Sequence, residues 1–476
     1  MLFLGSIVTV AFNVHLVISD YSWNETIYIG ADGSITPSEA PISTVDNVTY
    51  TFTDNIVDAA PSLYDCAIIV ERDDIVLDGA DYTLQGSTGL WSVGIQLTGV
   101  SNVTMKDMTI RQFYYGIRLH DSSGNNISRN NITNNSESGV DLLGSHNSII
   151  SGNTITSNTQ YGIYFELSDN NTISENQVTD SIVNVYPYQS SDNIIMKNNI
   201  TNANTCIYVR VSSNNTVSQN KITHARFYGV RLHGSSNNTI SENCITNNDV
   251  NGIRIDTSGN KVYHNNFVDN AEQAYIEPGN ANIWDDGYPS GGNYWSNYNG
   301  TDAFYSHDQN ITGSDGMGDN PCVLDSQNND SYPLMGPITF FDVGIWNGTT
   351  YSVQTVSNST VSDANFSIIH MMISFNLTGS EGTIGFSRVS IPKELLYSPN
   401  PMNWKVKVNN TQVPFRVLEE IDGDYTHIYL TYKHDAQQVQ IIGTEVIPEF
   451  PLFFILPLFM IVTLLTTTVY RRKMYD

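Results

Sequence analysis

Between about residue 75 and residue 275, apolar and polar residues alternate in short runs separated by Asn, Ser and Gly. Gly116-Ile117-Arg118-Leu119-His120 is one such run, with Ile117 and Leu119 on one side and Arg118 and His120 on the other. Period-two alternation in runs this short predicts strands and is too brief for helices. The runs also recur. A small residue followed by an apolar one falls at Gly94-Ile95, Gly116-Ile117, Gly139-Val140, Gly162-Ile163, Asn184-Val185, Cys206-Ile207, Gly229-Val230 and Gly252-Ile253. A second marker, an Asn inside Asn-x-Ile/Val-x-x-Asn-x-Ile, keeps the same beat. It occupies Asn130, Asn153, Asn176, Asn198, Asn220, Asn243 and Asn265, with Asp107 at the first equivalent place and successive steps of 23, 23, 23, 22, 22, 23 and 22 residues.

A constant step of this length with two or three strands in each period predicts a solenoid. A leucine-rich repeat would need leucines at fixed positions, which the runs lack. The fold class predicted is therefore all-β: a right-handed parallel β-helix of about eight coils, the hand following the preference of parallel crossovers. Equivalent residues then stack at about 4.8 Å per coil, and the Asn series becomes an internal ladder of side-chain amides bonded to the coils above and below.

Outside the repeat the pattern changes. Residues 1–20 are apolar in the manner of a signal segment, although the first Lys or Arg of the chain is Arg72. Residues 21–70 are expected to cap the first coil, 71–277 to form the β-helix, and 278–337 to form a Gly/Asn/Asp-rich cap block. Across 338–445, alternating runs at Phe366–Phe375, Trp404–Val408, His427–Tyr432 and Val439–Ile442 predict a small β-sandwich. Residues 446–470 then carry Pro448-Glu449-Phe450-Pro451 and 21 uncharged residues, Phe450 to Tyr470, enough for one transmembrane helix. The basic tail 471–476 after it is expected in the cytoplasm, leaving the rest of the chain on the extracellular face of the membrane.

Composition narrows the class. A formal net charge of −27 excludes nucleic acid as a partner, because phosphate binding needs a basic face. Only 14% of residues are charged while 40% are hydrophobic, so polarity rests on Asn, Ser and Thr, and a folded chain is expected. Four cysteines, Cys66, Cys206, Cys244 and Cys322, form no CxxC pair and leave room for one disulfide. About 18 Asn-x-Ser/Thr sequons from Asn24 to Asn409 suit an exported glycoprotein.

The Asn-x-Ile-Ser-x-Asn-x-Ile coils resemble the NosD-like family of parallel β-helix proteins, which is related to carbohydrate-binding and sugar-hydrolase modules. Trp284-Asp285-Asp286-Gly287, Gly292-Asn293-Tyr294-Trp295-Ser296, Asp315-Gly316-Met317-Gly318-Asp319-Asn320-Pro321 and Asn329-Asp330-Ser331-Tyr332-Pro333-Leu334 look like the block that follows such coils in archaeal surface members. Pro321-Cys322 stands where that pattern has Pro-Tyr. The Pro-Glu-Phe-Pro, the span and the basic tail resemble an archaeal sorting signal. The resemblance implies a surface protein, and copper-enzyme maturation among the roles of the family.

Candidate chemistry sits on the outward side of the Gly-Ile strands. The first outward position reads Gln96, Arg118, Asp141, Tyr164, Tyr186, Tyr208, Arg231 and Arg254, and the second Thr98, His120, Leu143, Glu166, Tyr188, Arg210, His233 and Asp256. Four of the 12 arginines fall on this stripe, and Phe113, Tyr114, Tyr115, Tyr161, Arg226, Phe227 and Tyr228 come just before it. Rings stack on sugar faces and guanidiniums hold carboxylates, so Arg118, His120, Tyr164, Tyr186, Tyr188, Tyr208, Arg210, Arg231, His233 and Arg254 are expected to bind polysaccharide or glycoprotein glycans, acidic or sulfated sugars included. Cross-strand stabilisation would use the same residues. Asp141 and Glu166, on adjacent coils, are the candidate catalytic pair for glycoside cleavage, which needs two carboxyls within about 5–10 Å. Asp315, Asp319, Asp325 and Asp330 offer oxygen ligands for calcium. Copper would need converging soft or imidazole ligands, and the 10 histidines are scattered, with only His370-Met371-Met372 close in sequence. Three functional classes follow: a glycan-binding or structural envelope protein, an extracellular carbohydrate-active enzyme, and a copper-handling accessory factor.

Overall fold

The computed structural model describes residues 22–446, apart from 61, 88–89, 347–348, 419–422 and 435–436. The apolar segment 1–20, the Pro-Glu-Phe-Pro motif, the span at 450–470 and the basic tail lie outside the described residues. Within them, no helix is long and apolar enough to cross a membrane. The chain divides into two units. One takes the chain up to Asp285 with Trp295–Tyr298 and Cys322–Asp330; the other takes Asp286–Tyr294, Asn299–Pro321 and everything from Ser331.

The first unit is a parallel β-helix. Most coils carry a strand of five or six residues, such as Tyr115–His120, and two of three residues, such as Asn126–Ser128 and Asn131–Thr133. At Asn199–Arg210 and Lys221–His233 a short strand runs on into the long one. Along the middle face Asn126 pairs with Ile149, Ile149 with Thr172, Thr172 with Ile194, Ile194 with Thr216, Thr216 with Thr239 and Thr239 with Lys261, reproducing the 22–23-residue step. Each coil buries aliphatic side chains completely, Ile127, Ile132, Val140 and Leu142 in one of them. Such burial stabilises by about 2–3 kcal/mol for each side chain.

The Asn ladder forms as predicted. From Asn130 to Asn265 each backbone N–H and side-chain amide donates to the Oδ1 of the next Asn, as with Asn153 to Asn176 at 2.9 and 3.0 Å and Asn176 to Asn198 at 2.9 and 3.0 Å. Asp107 is not its first member. Met108 holds that register and donates its N–H to Asn130, while Asp107 turns outward with φ 56° to pair with Arg129 and Lys106. The first step is thus 22 residues rather than 23. A second ladder, unforeseen, runs through Asn171, Asn193, Asn215, Asn238, Asn260 and Asn282 and ends on Asn328. Serines 122, 145, 168, 190, 212 and 235 make a third.

The Gly of the Gly-Ile marker has a steric cause. A Cβ on Gly116 would stand 2.5 Å from the Gly139 carbonyl oxygen of the next coil. Asn184, at the same register, instead uses its amide to reach the Val178 and Thr201 carbonyls at 3.2 and 2.7 Å.

The helix begins earlier than the repeat predicts. Residues 21–70 are not a separate cap: Ile27–Ile29 pairs in parallel with Cys66–Val70, and Thr49–Phe52 with Val76–Asp78. The middle face therefore stacks ten parallel strands from Thr49 to Tyr263 rather than about eight. Steps of 27 residues from Thr49 to Val76 and 28 from Val76 to Thr104 hide these coils from a 22–23-residue search. At the other end the block 278–337 is divided between the two units. Trp284 and Trp295 close the last coil, with Phe267 stacked on Trp295 at 4.5 Å, and their indole N–H groups donate to Asn328 and Asp330.

The second unit holds two five-stranded antiparallel sheets. One is ordered Ile338–Trp346, Thr349–Ser357, Ile384–Pro392, Tyr425–Lys433, Phe415–Leu418; the other Thr360–Ser367, Met372–Thr378, Gln437–Ile442, Lys405–Val408, Thr411–Gln412. Both supply one core that includes Val389, Ile428, Ile373, Phe375, Val406 and Ile441. The run 366–375 is not one strand. It turns at Ile368–Met371, with Met371 at φ 47°.

Candidate functional site

Parallel pairing sets the outward residues of the long strands in two rows. Arg118 stands over Gln96, Asp141 over Arg118 and Tyr164 over Asp141; further along, Arg231 stands over Tyr208, Arg254 over Arg231 and Tyr275 over Arg254. The second row runs His120, Leu143, Glu166, Tyr188, Arg210, His233. The equivalent outward positions of the two short strands carry mostly Thr, Ser and Asn, as in Thr172–Ser174 and Asn131–Thr133. The long-strand face thus differs from the rest of the coil in chemistry, as the sequence predicts.

The rings form a continuous stack. Tyr161 lies 4.9 Å from Tyr164, Tyr164 lies 5.4 Å from Tyr186, and Tyr186 is parallel to Tyr208 at 4.9 Å and 4°. Tyr186, expected as an open binding residue, is only 7% exposed because its neighbours cover it. Tyr164, Tyr188 and Tyr208 are half-buried and Arg210 is exposed. Phe113 is not on this surface at all; it is buried in the core. Guanidiniums bracket the stack: Arg210 over Tyr188 at 5.3 Å, Arg231 over Tyr208 at 4.9 Å, and Arg254 over Tyr275 at 4.6 Å. Such contacts hold each cation in place while leaving donors for a ligand. The Nε atoms of Arg231 and Arg254 are buried without a hydrogen-bond partner. His233 is bonded to Asp256, and His120 lies 3.7 Å from Asp121.

The carboxyl groups gather toward the other end. Asp141 is 4% exposed, with Oδ2 at 3.3 Å from Arg118 Nε. Burial pushes its carboxyl up to about 7; Arg118 opposes the rise, and Glu137 and Glu166 add to it. Glu166 stands beside Leu143 in register and accepts the Tyr164 hydroxyl at 2.9 Å, a contact that with burial holds the Tyr164 phenol well above its usual range. The two candidate catalytic carboxyls therefore sit on adjacent coils, one covered and ion-paired, the other committed to a tyrosine.

The four aspartates proposed for calcium are each engaged locally. Asp315 accepts from Met317 N–H and Gln309, Asp319 from Thr301, Ala303 and Phe304, Asp325 from Gln327 and Asn328, and Asp330 from Trp295. Among the described residues no group of three or more His, Cys, Asp or Glu converges as a metal site.

A cluster that sequence reading missed lies in the second unit. Arg388, 1% exposed, donates to the Ser290 carbonyl at 3.2 Å and faces His427 Nδ1 at 3.4 Å. Burial lowers its pKa to about 10, with Asp315, Tyr288 and Asp302 opposing. Asp302 accepts the Asp315 and Gly316 N–H groups, both at 2.9 Å, yet burial raises its carboxyl to about 7. Gly316 holds φ 88°, and a Cβ added there would stand 3.2 Å from Arg388 Cδ. Asp315 and Gly316 stand in the Asp-Gly block that the sequence marks, but Arg388 and His427 come from segments far along the chain, and no local pattern joins them to it.

A repeating coil of parallel strands defines a β-solenoid, here with one chemically distinct face. A family model described as periplasmic copper-binding protein (NosD) matches residues 35–200 and 157–300, more than half of the 476 residues, and the chain belongs to this family. Among solved structures it is similar to a mutant of the periplasmic alginate epimerase AlgG, at 16% identity over 52% of this chain and 71% of that one, TM-score 0.41. DFA-IIIase from Arthrobacter chlorophenolicus A6 in complex with DFA-III gives 15% identity over 47% and 69%, TM-score 0.39. The Dettilon tailspike protein gives 13% over 87% and 93%, TM-score 0.38. At these identities the likeness is one of fold alone. Comparison with curated proteins gives no match.

Copper needs imidazole, thiolate or thioether ligands converging on one point. All four cysteines are free, but burial pushes the Cys206 thiol up to about 12 and the Cys66 thiol up to about 11. The His233 ring is bonded to Asp256, and His370 and Met371 occupy a turn that Met372 leaves to begin a strand. The described residues do not fit a copper site.

Proposed function

We propose that this protein is an envelope or cell-surface β-helix that binds glycan chains along its long-strand face. One observation carries the reading: tyrosine rings and guanidiniums follow one another coil by coil on that face, while the short-strand faces carry mostly small polar residues. Rings 4.9–5.4 Å apart, flanked by Arg231, by Arg210, which donates to the Tyr186 hydroxyl, and by Arg254, which Glu277 pairs at 3.3 Å, suit the apolar faces and the carboxylates or sulfates of a sugar chain. The periplasmic description of the family supports a location outside the cytoplasm. The apolar stretch 450–470 supports attachment to the membrane.

Glycan arrays probed with the wild type and with Tyr188→Ala/Tyr208→Ala and Arg210→Ala variants test this. Binding in the wild type and a loss of about tenfold or more in the double variant is the expected result. A wild type that retains no glycan, or variants that retain every glycan equally, would end the reading.

A further inference from the structure

Beyond the tyrosine–arginine stretch, toward the first coils, the same face carries aromatic residues that the repeat does not mark. Tyr64, Trp91 and Tyr114 each stand just before a long strand. Trp91 lies 6.2 Å from Tyr64 at 21° and 4.6 Å from Tyr114 at 35°, so three rings make one ledge. The ledge is open: Tyr64 is 67% and Trp91 43% exposed, and Leu63 and Leu90 beside them are 54% and 67% exposed. Of the tryptophans whose side chains are described, Trp91 is the exposed one. Tyr64 and Trp91 also hold left-handed backbone, φ 66° and 59°. The turns of later coils give that conformation mostly to residues such as Asn134, Ser157, Asp180 and Asn202, and also to Gln112, Leu167, Val211 and His224. Bulky side chains there are disfavoured, so these two rings are presented at a conformational cost.

The charge beside the ledge selects its occupant. The Glu137 N–H bonds to the Tyr114 carbonyl at 2.9 Å, which sets the Glu137 side chain one coil above the Tyr114 ring. Burial and a hydrogen bond to that carboxylate push the Tyr114 phenol up to about 12. Asp141 and Glu166 follow on the next strands. A uronate or sulfated sugar would meet the Glu137 carboxylate here, while Arg118 is ion-paired with the covered Asp141 and Glu166 holds the Tyr164 hydroxyl further along the face. An uncharged pyranose would lay its C–H face on the rings and offer hydroxyls to carboxylate acceptors.

We infer that Tyr64, Trp91 and Tyr114 form a stacking subsite for an uncharged pyranose, at the opposite end of the face from Arg231 and Arg254. This rests on the reading that the face carries a glycan, and it assigns the chemistry of one end: a neutral residue over the ledge, acidic residues only over the arginines.

The test uses the full-length chain in a polyoxyethylene detergent, which carries no sugar headgroup. Tryptophan emission is followed while cellohexaose, mannohexaose, galactohexaose and maltohexaose are added in turn. At least one is expected to shift and quench the emission saturably. The signal should vanish in Trp91→Phe, and half-saturation should rise about tenfold in Tyr64→Ala. Polygalacturonate should leave Trp91 emission unchanged. Three results would overturn the subsite: no neutral hexasaccharide alters the emission; the change survives Trp91→Phe; or emission varies with protein concentration in the absence of sugar, which makes the ledge a self-association surface. Array retention of acidic glycans by the wild type, read separately, distinguishes failure of this subsite from failure of glycan binding by the face as a whole.

Discussion

Apart from the buried Asp141 and Asp330 of the first unit, the two units bury polar groups in different ways. The β-helix places uncharged amides and hydroxyls at its corners, where each side chain accepts from the coil before it, so Asn153, Asn176 and Asn198 repeat one solution. The second unit buries ions once, with Arg388, Asp315 and Asp302 brought together by segments that never recur. An amide ladder needs no charge compensation and adds one rung for each coil. A buried ionic cluster depends on all its members together, because each ion left alone would carry an uncompensated desolvation cost.

The largest effect should therefore come from Arg388→Met, expected to cost the second unit about 3–5 kcal/mol in a denaturant titration at pH 8 or above. There Asp302, raised to about 7, has lost its proton, and the variant removes the cation that opposes the charges of Asp302 and Asp315. A loss below that of a ladder substitution would reverse the contrast. Asn198→Ala removes the acceptor of two buried Asn176 donors and should cost the helix about 2–4 kcal/mol, measured in the same way. The corresponding change at Asn265, at the end of the ladder, should cost less.

The third prediction concerns pH. The carboxyl of Asp302 is raised to about 7 in the folded protein, so between the ordinary aspartate value of 3.8 and about 7 the folded state binds more protons than the unfolded one. The stability it contributes is complete at acid pH and is lost as pH rises through 7. The melting temperature of the second unit should fall by about 2–4 °C between pH 5 and pH 8, and Asp302→Asn should flatten that slope. An unchanged slope in the variant would detach the pH dependence from this cluster. The smallest effect is expected for Arg118→Gln, below about 1 kcal/mol at neutral pH, because Asp141 can take up a proton when its partner leaves. Titration of Asp141 by carbon NMR should then move to higher pH.

Much of the helix was legible in the sequence because one geometric constraint repeats. Ile127, Ile150, Ile173 and Ile195 must fall inward at every turn, and the corner asparagines must meet the amides of the next coil. Where the step lengthens to 27 or 28 residues, at Thr49 and Val76, the same pairing persists without a readable period. Asp107 shows the converse: spacing within one residue of the ladder step suggested membership, but register turned its side chain outward. The stripe was legible as a list of outward residues, but its exposure was not. Tyr186 and Asp141 look open by alternation and are covered by neighbours from adjacent coils.

The sequence alone determined the coil, its period, its core residues and the face on which rings and arginines collect, because those depend on alternation and on contacts one turn apart. Tertiary structure decided which of those side chains reach solvent, that Tyr64, Trp91 and Tyr114 share one ledge, and that the buried Arg388 feels the charges of Asp302 and Asp315. Tyr64, Trp91 and Tyr114 follow one another at about one coil, but the first step of 27 residues hides that spacing, and Arg388 lies far along the chain from Asp302 and Asp315, so only folding brings these residues together.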